Sequence, residues 1–171
     1  MKKQVFTLLC FLTANIVSAD QVNFSGVLRN AIPCNINSDS DLIVPFNEIS
    51  DKDLYKKKDV MQPFDITLSD CEYLPDFSYS MAFTGIENSN IKGAVAIDSD
   101  NGSAGYGIKL MNEHGEVQLN EHYPLQIDTK NGFPTIIAFK AYILAEEDAI
   151  NNKSIQLGDF TATTTFNIYY E

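Results

Sequence analysis

The chain has 171 residues, 44% of them hydrophobic and 20% charged, which is enough for one domain of ordinary size with its own core. Its formal net charge of −11 argues against a nucleic-acid binder and against a protein held on an anionic membrane surface, because both need a basic face. The charge fits a soluble exported protein with a basic partner, but acidity alone names no partner.

The first element is a secretory signal over residues 1–19. Met1-Lys2-Lys3 is a basic start, Val5 to Val17 is mostly apolar, and Val17-Ser18-Ala19 offers small residues for cleavage before Asp20. Thr7, Thr13 and Asn15 interrupt an apolar run already too short for a stable transmembrane helix. Cys10 does not read as a lipid-anchored cysteine, since Leu9 stands where a small residue is needed. Removing the signal takes away Lys2 and Lys3, so the net charge falls by two from −11, to −13. It also takes away Cys10 and leaves Cys34 and Cys71. In an exported chain an even pair reads as a structural disulfide, the alternative being two free buried thiols. Closing a loop of about 37 residues would contribute roughly 4 kcal/mol in the chain-entropy model.

The rest reads as β-structure. Val22, Phe24, Gly26 and Leu28 share one face of an alternating segment. Pro33 precedes Cys34, and Leu42 to Phe46 reads as a short apolar strand. Ser50 to Asp59 is polar, carries Lys56-Lys57-Lys58, and reads as a loop or exposed edge. Phe64, Ile66 and Leu68 alternate into Cys71, and Phe77, Tyr79, Met81 and Phe83 alternate up to Gly85. Val95 to Ile97 is a brief strand before the turn-rich Asp98 to Gly102. Tyr106, Ile108 and Leu110 form the next strand, closed by His114-Gly115. Asn131-Gly132 marks a turn, and Thr135 to Ala145 is the longest apolar run. Ala145 to Ile150 has helix-forming composition but is short and reads as the cap of a loop. Short strands separated by turn residues predict an antiparallel sandwich.

The last fourteen residues, GDFTATTTFNIYYE, alternate to the end. Phe160, Ala162, Thr164, Phe166, Ile168 and Tyr170 form one face; Asp159, Thr161, Thr163, Thr165 and Asn167 form the other. Such a strand is either an ordinary member of the sheet or an edge that something outside the chain reads.

Little else points to chemistry. Asp98-x-Asp100-x-Gly102 has the beginning of a calcium loop, yet its fifth position lacks an oxygen ligand and Lys109 stands where the bidentate glutamate belongs. Ser103 lacks the frame of a nucleophile elbow. His114 and His122 lie near turns, and no two carboxylates form a catalytic pair. The expectation is a non-enzyme with neither cofactor nor metal.

Four features together resemble the pilin subunits of chaperone–usher fimbriae: the signal, the alternating segment VNFSGVLRNAIPC before the first cysteine, the Cys34–Cys71 pair, and the ending. Gly158 is fourteenth from the end and Tyr170 penultimate, the two positions that family marks in its chaperone-binding motif. The second half (GYGIKLMNEHG, AFKAYILA, GDFTATTTFNIYYE) is similar to adaptor minor subunits of P-type pili. The resemblance implies an all-β fold, an incomplete immunoglobulin-like sandwich lacking its final strand. A donor strand from a periplasmic chaperone or a neighbouring subunit would complete it. Residues 32–171 would be the pilin domain and 20–31 the donor extension, with Val22, Phe24 and Leu28 entering a neighbour's pockets and Gly26 where no side chain fits. The acceptor edge would comprise Gly158, Phe160, Ala162, Thr164, Phe166, Ile168, Tyr170 and Glu171. Implied partners are the chaperone, the outer-membrane usher and other subunits, and the implied destination is a cell-surface fimbrium after passage through the periplasm. The short stretch ahead of the donor segment favours a tip–rod adaptor over a rod pilin; a terminator of the same pathway is the other candidate. The competing class is a self-complete secreted sandwich in which residues 22–28 supply the domain's own first strand.

Overall fold

The computed structural model describes residues 34–37, 41–71, 78–98, 104–127 and 134–170. All lie in the compact unit Ala31–Glu171. Eleven elements follow in chain order: β1 (Asn35–Ile36), α1 (Asp51–Tyr55), β2 (Val60–Ser69), β3 (Tyr79–Gly85), β4 (Val95–Ala96), β5 (Tyr106–Asn112), β6 (Gly115–Val117), β7 (Tyr123–Pro124), β8 (Thr135–Ala145), α2 (Glu147–Asn152) and β9 (Thr164–Tyr170). The strands form two sheets. The larger runs β1-β2-β8-β5-β4 with β6 beside β5; the smaller runs β7-β3-β9. Every pairing is antiparallel.

β2 and β8 make the longest ladder, from Val60↔Ile143 to Leu68↔Thr135. Their inward residues Ile66, Leu68, Phe139, Ala141 and Ile143 are buried, while Met61, Ile136 and Lys140 face out. This is the alternation expected of a sheet with one wet face. β3 supplies the opposing layer with Tyr79, Met81 and Phe83. The layers meet at Phe139. Its ring stacks on Phe64 at 5.4 Å and receives Phe83 edge-on at 5.1 Å and Phe166 at 6.4 Å. Offset and edge-on geometries of this kind are what aromatic quadrupoles prefer.

Pro63 sits inside β2, where it cannot donate to a ladder. It is tolerated because β1 pairs only with Leu68 and Ser69, leaving the outer edge at Pro63 without a partner among the described strands. The β5–β6 hairpin closes where the spacing placed it. His114 donates its amide to Asn112 Oδ1 at 2.8 Å, and Gly115 adopts φ +125°. Cys34 and Cys71 are joined by a disulfide.

Several expectations need correction. Leu42 to Phe46 is not a strand: Ile43 is 83% exposed, Leu42 44% exposed, and Pro45 offers no amide to a ladder. Ser50 to Asp59 contains α1, whose first turn carries Asp51 and Asp53 at the favourable end of the helix dipole and whose Leu54 is buried. The stretch read as a loop cap is the helix α2, closed by Lys153 in the left-handed region. The residue before α2 is held in place by its side chain and opens the helix with its carbonyl. Glu146 is 4% exposed, accepts from Asn88 Nδ2 at 3.0 Å and from Asn90 Nδ2 at 2.7 Å, and takes the Ile150 amide on its carbonyl. A pattern of apolar residues does not register a buried polar anchor. β1, β6 and β7 went unread because two or three residues carry no period. Phe77, residues 99–103 and the Asn131-Gly132 turn lie outside the described residues.

Candidate functional site along the C-terminal strand

The predicted face is present, but the strand beneath it is shorter than the pattern. Gly158 has φ +130° with nothing within 4 Å of where a Cβ would stand, so this position needs glycine for its backbone and has room for a side chain. From there to Thr163 the chain is extended without a ladder, except that Thr161 bridges Asp98. The Asp98 amide donates to the Thr161 carbonyl at 2.8 Å. Its carboxylate accepts from Thr161 Oγ1 at 3.2 Å and Thr163 Oγ1 at 3.4 Å. The aspartate that opens the calcium-like sequence is therefore engaged with hydroxyls. These bonds hold residues 161–163 toward the larger sheet, and the ladder with β3 starts only at Thr164.

From Thr164 to Tyr170, β9 pairs residue for residue with β3, from Gly85↔Thr164 to Tyr79↔Tyr170. β9 is the last strand in its sheet: among the described strands none pairs with its other edge. The alternating face reaches the core yet is buried nowhere. Phe160, Ala162, Phe166, Ile168 and Tyr170 touch the core cluster while remaining half-buried, and Thr164 is half-buried beside them. In β3 the equivalent apolar positions are fully buried.

Two contacts join this segment to the chain's N-terminal flank. The ring of Phe160 lies 6.2 Å from that of Phe46 and meets Tyr106 edge-on at 5.6 Å. At the opposite end, Tyr170 meets Tyr79 edge-on at 5.5 Å and its hydroxyl accepts the Cys34 amide at 2.9 Å. Residues 34–46 and 160–170 thus touch at both ends in antiparallel sense. Phe46, Asp98 and Cys34 are participants that the alternation alone could not reveal. They come from distant positions, and their roles rest on an aromatic contact, a side-chain bridge and a backbone amide. Burial raises the Tyr106 phenol above its ordinary value, in keeping with its inward position.

The donor candidates Val22, Phe24, Gly26 and Leu28 lie outside the described residues, as does Glu171. Ser80 Oγ and His122 Nδ1 stand 3.4 Å apart on the outer face of the smaller sheet, and the His122 ring lies 4.2 Å from that of Tyr169. No carboxylate is bonded to this histidine in the described contacts, so the pair has no orienting third member.

A strand left at an edge with a half-covered apolar face is a recognisable architecture, and comparison with known proteins identifies it. A family model described as "Fimbrial protein" matches residues 22–171. The fimbrial adapter PapK of Escherichia coli is 28% identical, the alignment covering 99% of each chain. The uncharacterized fimbrial-like protein YfcQ of Escherichia coli is 26% identical over the whole of both chains. In fold the chain is similar to the crystal structure of the P pilus rod subunit PapA, with a TM-score of 0.63 at 18% identity over 82% of this chain and 100% of that one. The fold is thus that of an immunoglobulin-like pilin sandwich, and the chain belongs to the fimbrial protein family as one of its structural subunits.

Proposed function

We propose that this chain is a minor subunit of a cell-surface fimbrium, assembled by donor-strand exchange and placed as an adaptor between tip and rod. It acts by pairing and packing, as a structural part without a catalytic role. Residues 1–19 serve as a secretory signal, a periplasmic chaperone first covers the β9 edge, and an outer-membrane usher oversees the exchange for a neighbour's residues 20–31.

The observation that carries this reading is the state of residues 160–170. An exposed strand edge invites wrong pairing, and proteins ordinarily defend such edges with charge, proline or a covering element. Here no charged residue occurs between Asp159 and Glu171, in a chain whose net charge is −11. The apolar side chains of the same segment are half-buried where β3's are buried. An edge left undefended beside an unfinished apolar surface fits strand addition, in which main-chain hydrogen bonds supply affinity and alternate side chains supply specificity. Residues 21–28 match it in character, uncharged and alternating, with Val22, Phe24 and Leu28 on one face. Burying three such side chains would contribute about 5–8 kcal/mol before ordering costs. Placement as an adaptor rests on the similarity to PapK along the full chain.

The test is complementation. Expressed without a chaperone, the chain should aggregate or polymerise. A synthetic peptide copying the donor strand of a neighbouring subunit should convert it into a stable monomer, and the same peptide with its donor-strand glycine replaced by leucine should not. A chain that is monomeric and stable unaided, and that unfolds when residues 20–31 are deleted, would be a self-complete sandwich.

A further inference from the structure

The root of the N-terminal extension is fixed almost entirely to β2. Cys34 is bonded to Cys71, Asn35 and Ile36 form a ladder with Ser69 and Leu68, Asn35 Nδ2 donates to Asp70 Oδ2 at 2.9 Å, and the Thr67 amide donates to Asn37 Oδ1 at 2.9 Å. A hydrogen bond also reaches it from another element: the Tyr170 hydroxyl accepts the buried Cys34 amide at 2.9 Å. β1 belongs to the larger sheet and β9 to the smaller. This bond therefore crosses between sheets, and it joins the end of the acceptor strand to Cys34, which follows the N-terminal extension in sequence.

We propose that Tyr170 is a positioning residue that ties the two halves of the joint together within one subunit. Its phenol places the root of the donor segment according to where β9 lies. The inference rests on reading residues 20–31 as a donor segment and β9 as the acceptor strand, and it adds that the two are mechanically linked. The chemistry suits the task. The Tyr79 ring holds Tyr170 by its face, so the hydroxyl is aimed by packing before it meets the amide. A buried amide deprived of its acceptor loses more than an exposed one, so the bond favours one placement of Cys34 relative to β9. A shift of β9 by one residue would turn Tyr170 to the opposite face and break the tie, so the same bond also reports register.

Hydrogen exchange at the Cys34 amide tests this directly, in the full chain saturated with a synthetic peptide copying the donor strand of a neighbouring subunit. In the unsubstituted chain this amide should be strongly protected; exchange at the rate of an unstructured amide overturns the proposal, whatever any variant does. In Tyr170→Phe, which keeps the ring, the amide should exchange about tenfold faster. In Tyr169→Phe, which removes a hydroxyl from the opposite face, it should not change. The second readout is transfer of the extension of Tyr170→Phe onto an unsubstituted subunit, expected to be several-fold slower. Normal transfer with a deprotected Cys34 would reduce Tyr170 to a local contact and end its positioning role. Were the peptide not to bind at all, the exchange reading would fall, while the Cys34 amide measured in the free chain would still decide whether the tie exists.

Discussion

Two glycines show how differently the same residue type can be required. Gly158 has φ +130° and open space around its missing Cβ, so Gly158→Ala meets only backbone strain. That strain is worth about 1–3 kcal/mol, a lowering of the melting temperature by several degrees for a domain of this size. Gly105 has φ +86°, and a Cβ there would stand 2.9 Å from Ala149 Cβ and 3.2 Å from Ile155 Cα. Gly105→Ala therefore combines strain with a collision against α2, and should cost more than Gly158→Ala, about 3 kcal/mol or above. Thermal melting of the two variants, each saturated with a peptide copying a neighbouring subunit's donor strand, gives the order; a larger loss at Gly158 would contradict it. In sequence Gly158 stood out by its distance from the end and Gly105 did not stand out at all. The demands that separate them are a dihedral angle and a neighbour 44 residues away, and neither is written locally.

At the scale of elements, what was legible followed period. β8 occupies the predicted Thr135 to Ala145, and Phe64, Ile66 and Leu68 alternate within β2 as expected, because a sheet with one wet face imposes that pattern on its residues. The C-terminal face was legible for the same reason, but its ladder begins six residues after Gly158, since Asp98 draws Thr161 and Thr163 away first. Periodicity reports which side of a chain faces in and says nothing about which neighbour holds it. α2 is the sharper case. Its anchor is Glu146, buried with Asn88 and bonded to both Asn88 and Asn90. Asn88 in turn receives the Asn90 and Ile91 amides on its own oxygen and donates to the Tyr106 carbonyl. Glu146→Ala would take the acceptor from the Asn90 side-chain amide and leave that of Asn88 with the Tyr106 carbonyl, and should destabilise the domain by about 2–4 kcal/mol. Glu146→Gln keeps the shape and one acceptor oxygen, so its loss should be smaller. Denaturant midpoints of the peptide-saturated chain compare them, and equal losses would mean that the charge is what the cluster requires.

At the scale of the whole molecule, charge is distributed so that the proposed joint avoids it. The chain carries 23 acidic and 12 basic residues, yet residues 160–170 hold none of either, and 21–28 hold none. Three of the basic residues are paired elsewhere: Lys57 with Glu147, Lys58 with Asp53 at 2.7 Å, and Lys109 with Glu116 at 2.6 Å. A peptide copying residues 20–31 has one aspartate and one arginine, so it approaches the groove of the neighbouring subunit as a neutral ligand. Long-range attraction and repulsion then contribute little to its association, and what holds it is apolar burial and main-chain bonding, which salt does not screen. Raising sodium chloride from about 50 to about 500 mM shortens the screening length from roughly 14 to roughly 4 Å. Over that range the peptide's affinity should change by less than about threefold, read by isothermal titration or by competition with a labelled copy. Capture by a basic chaperone should behave otherwise, with an association rate that falls as salt screens the attraction to an acidic subunit. A peptide affinity that dropped tenfold or more would mean that charged side chains take part in the joint. The two salt responses together separate the step that brings a subunit to its partner from the step that locks it in place.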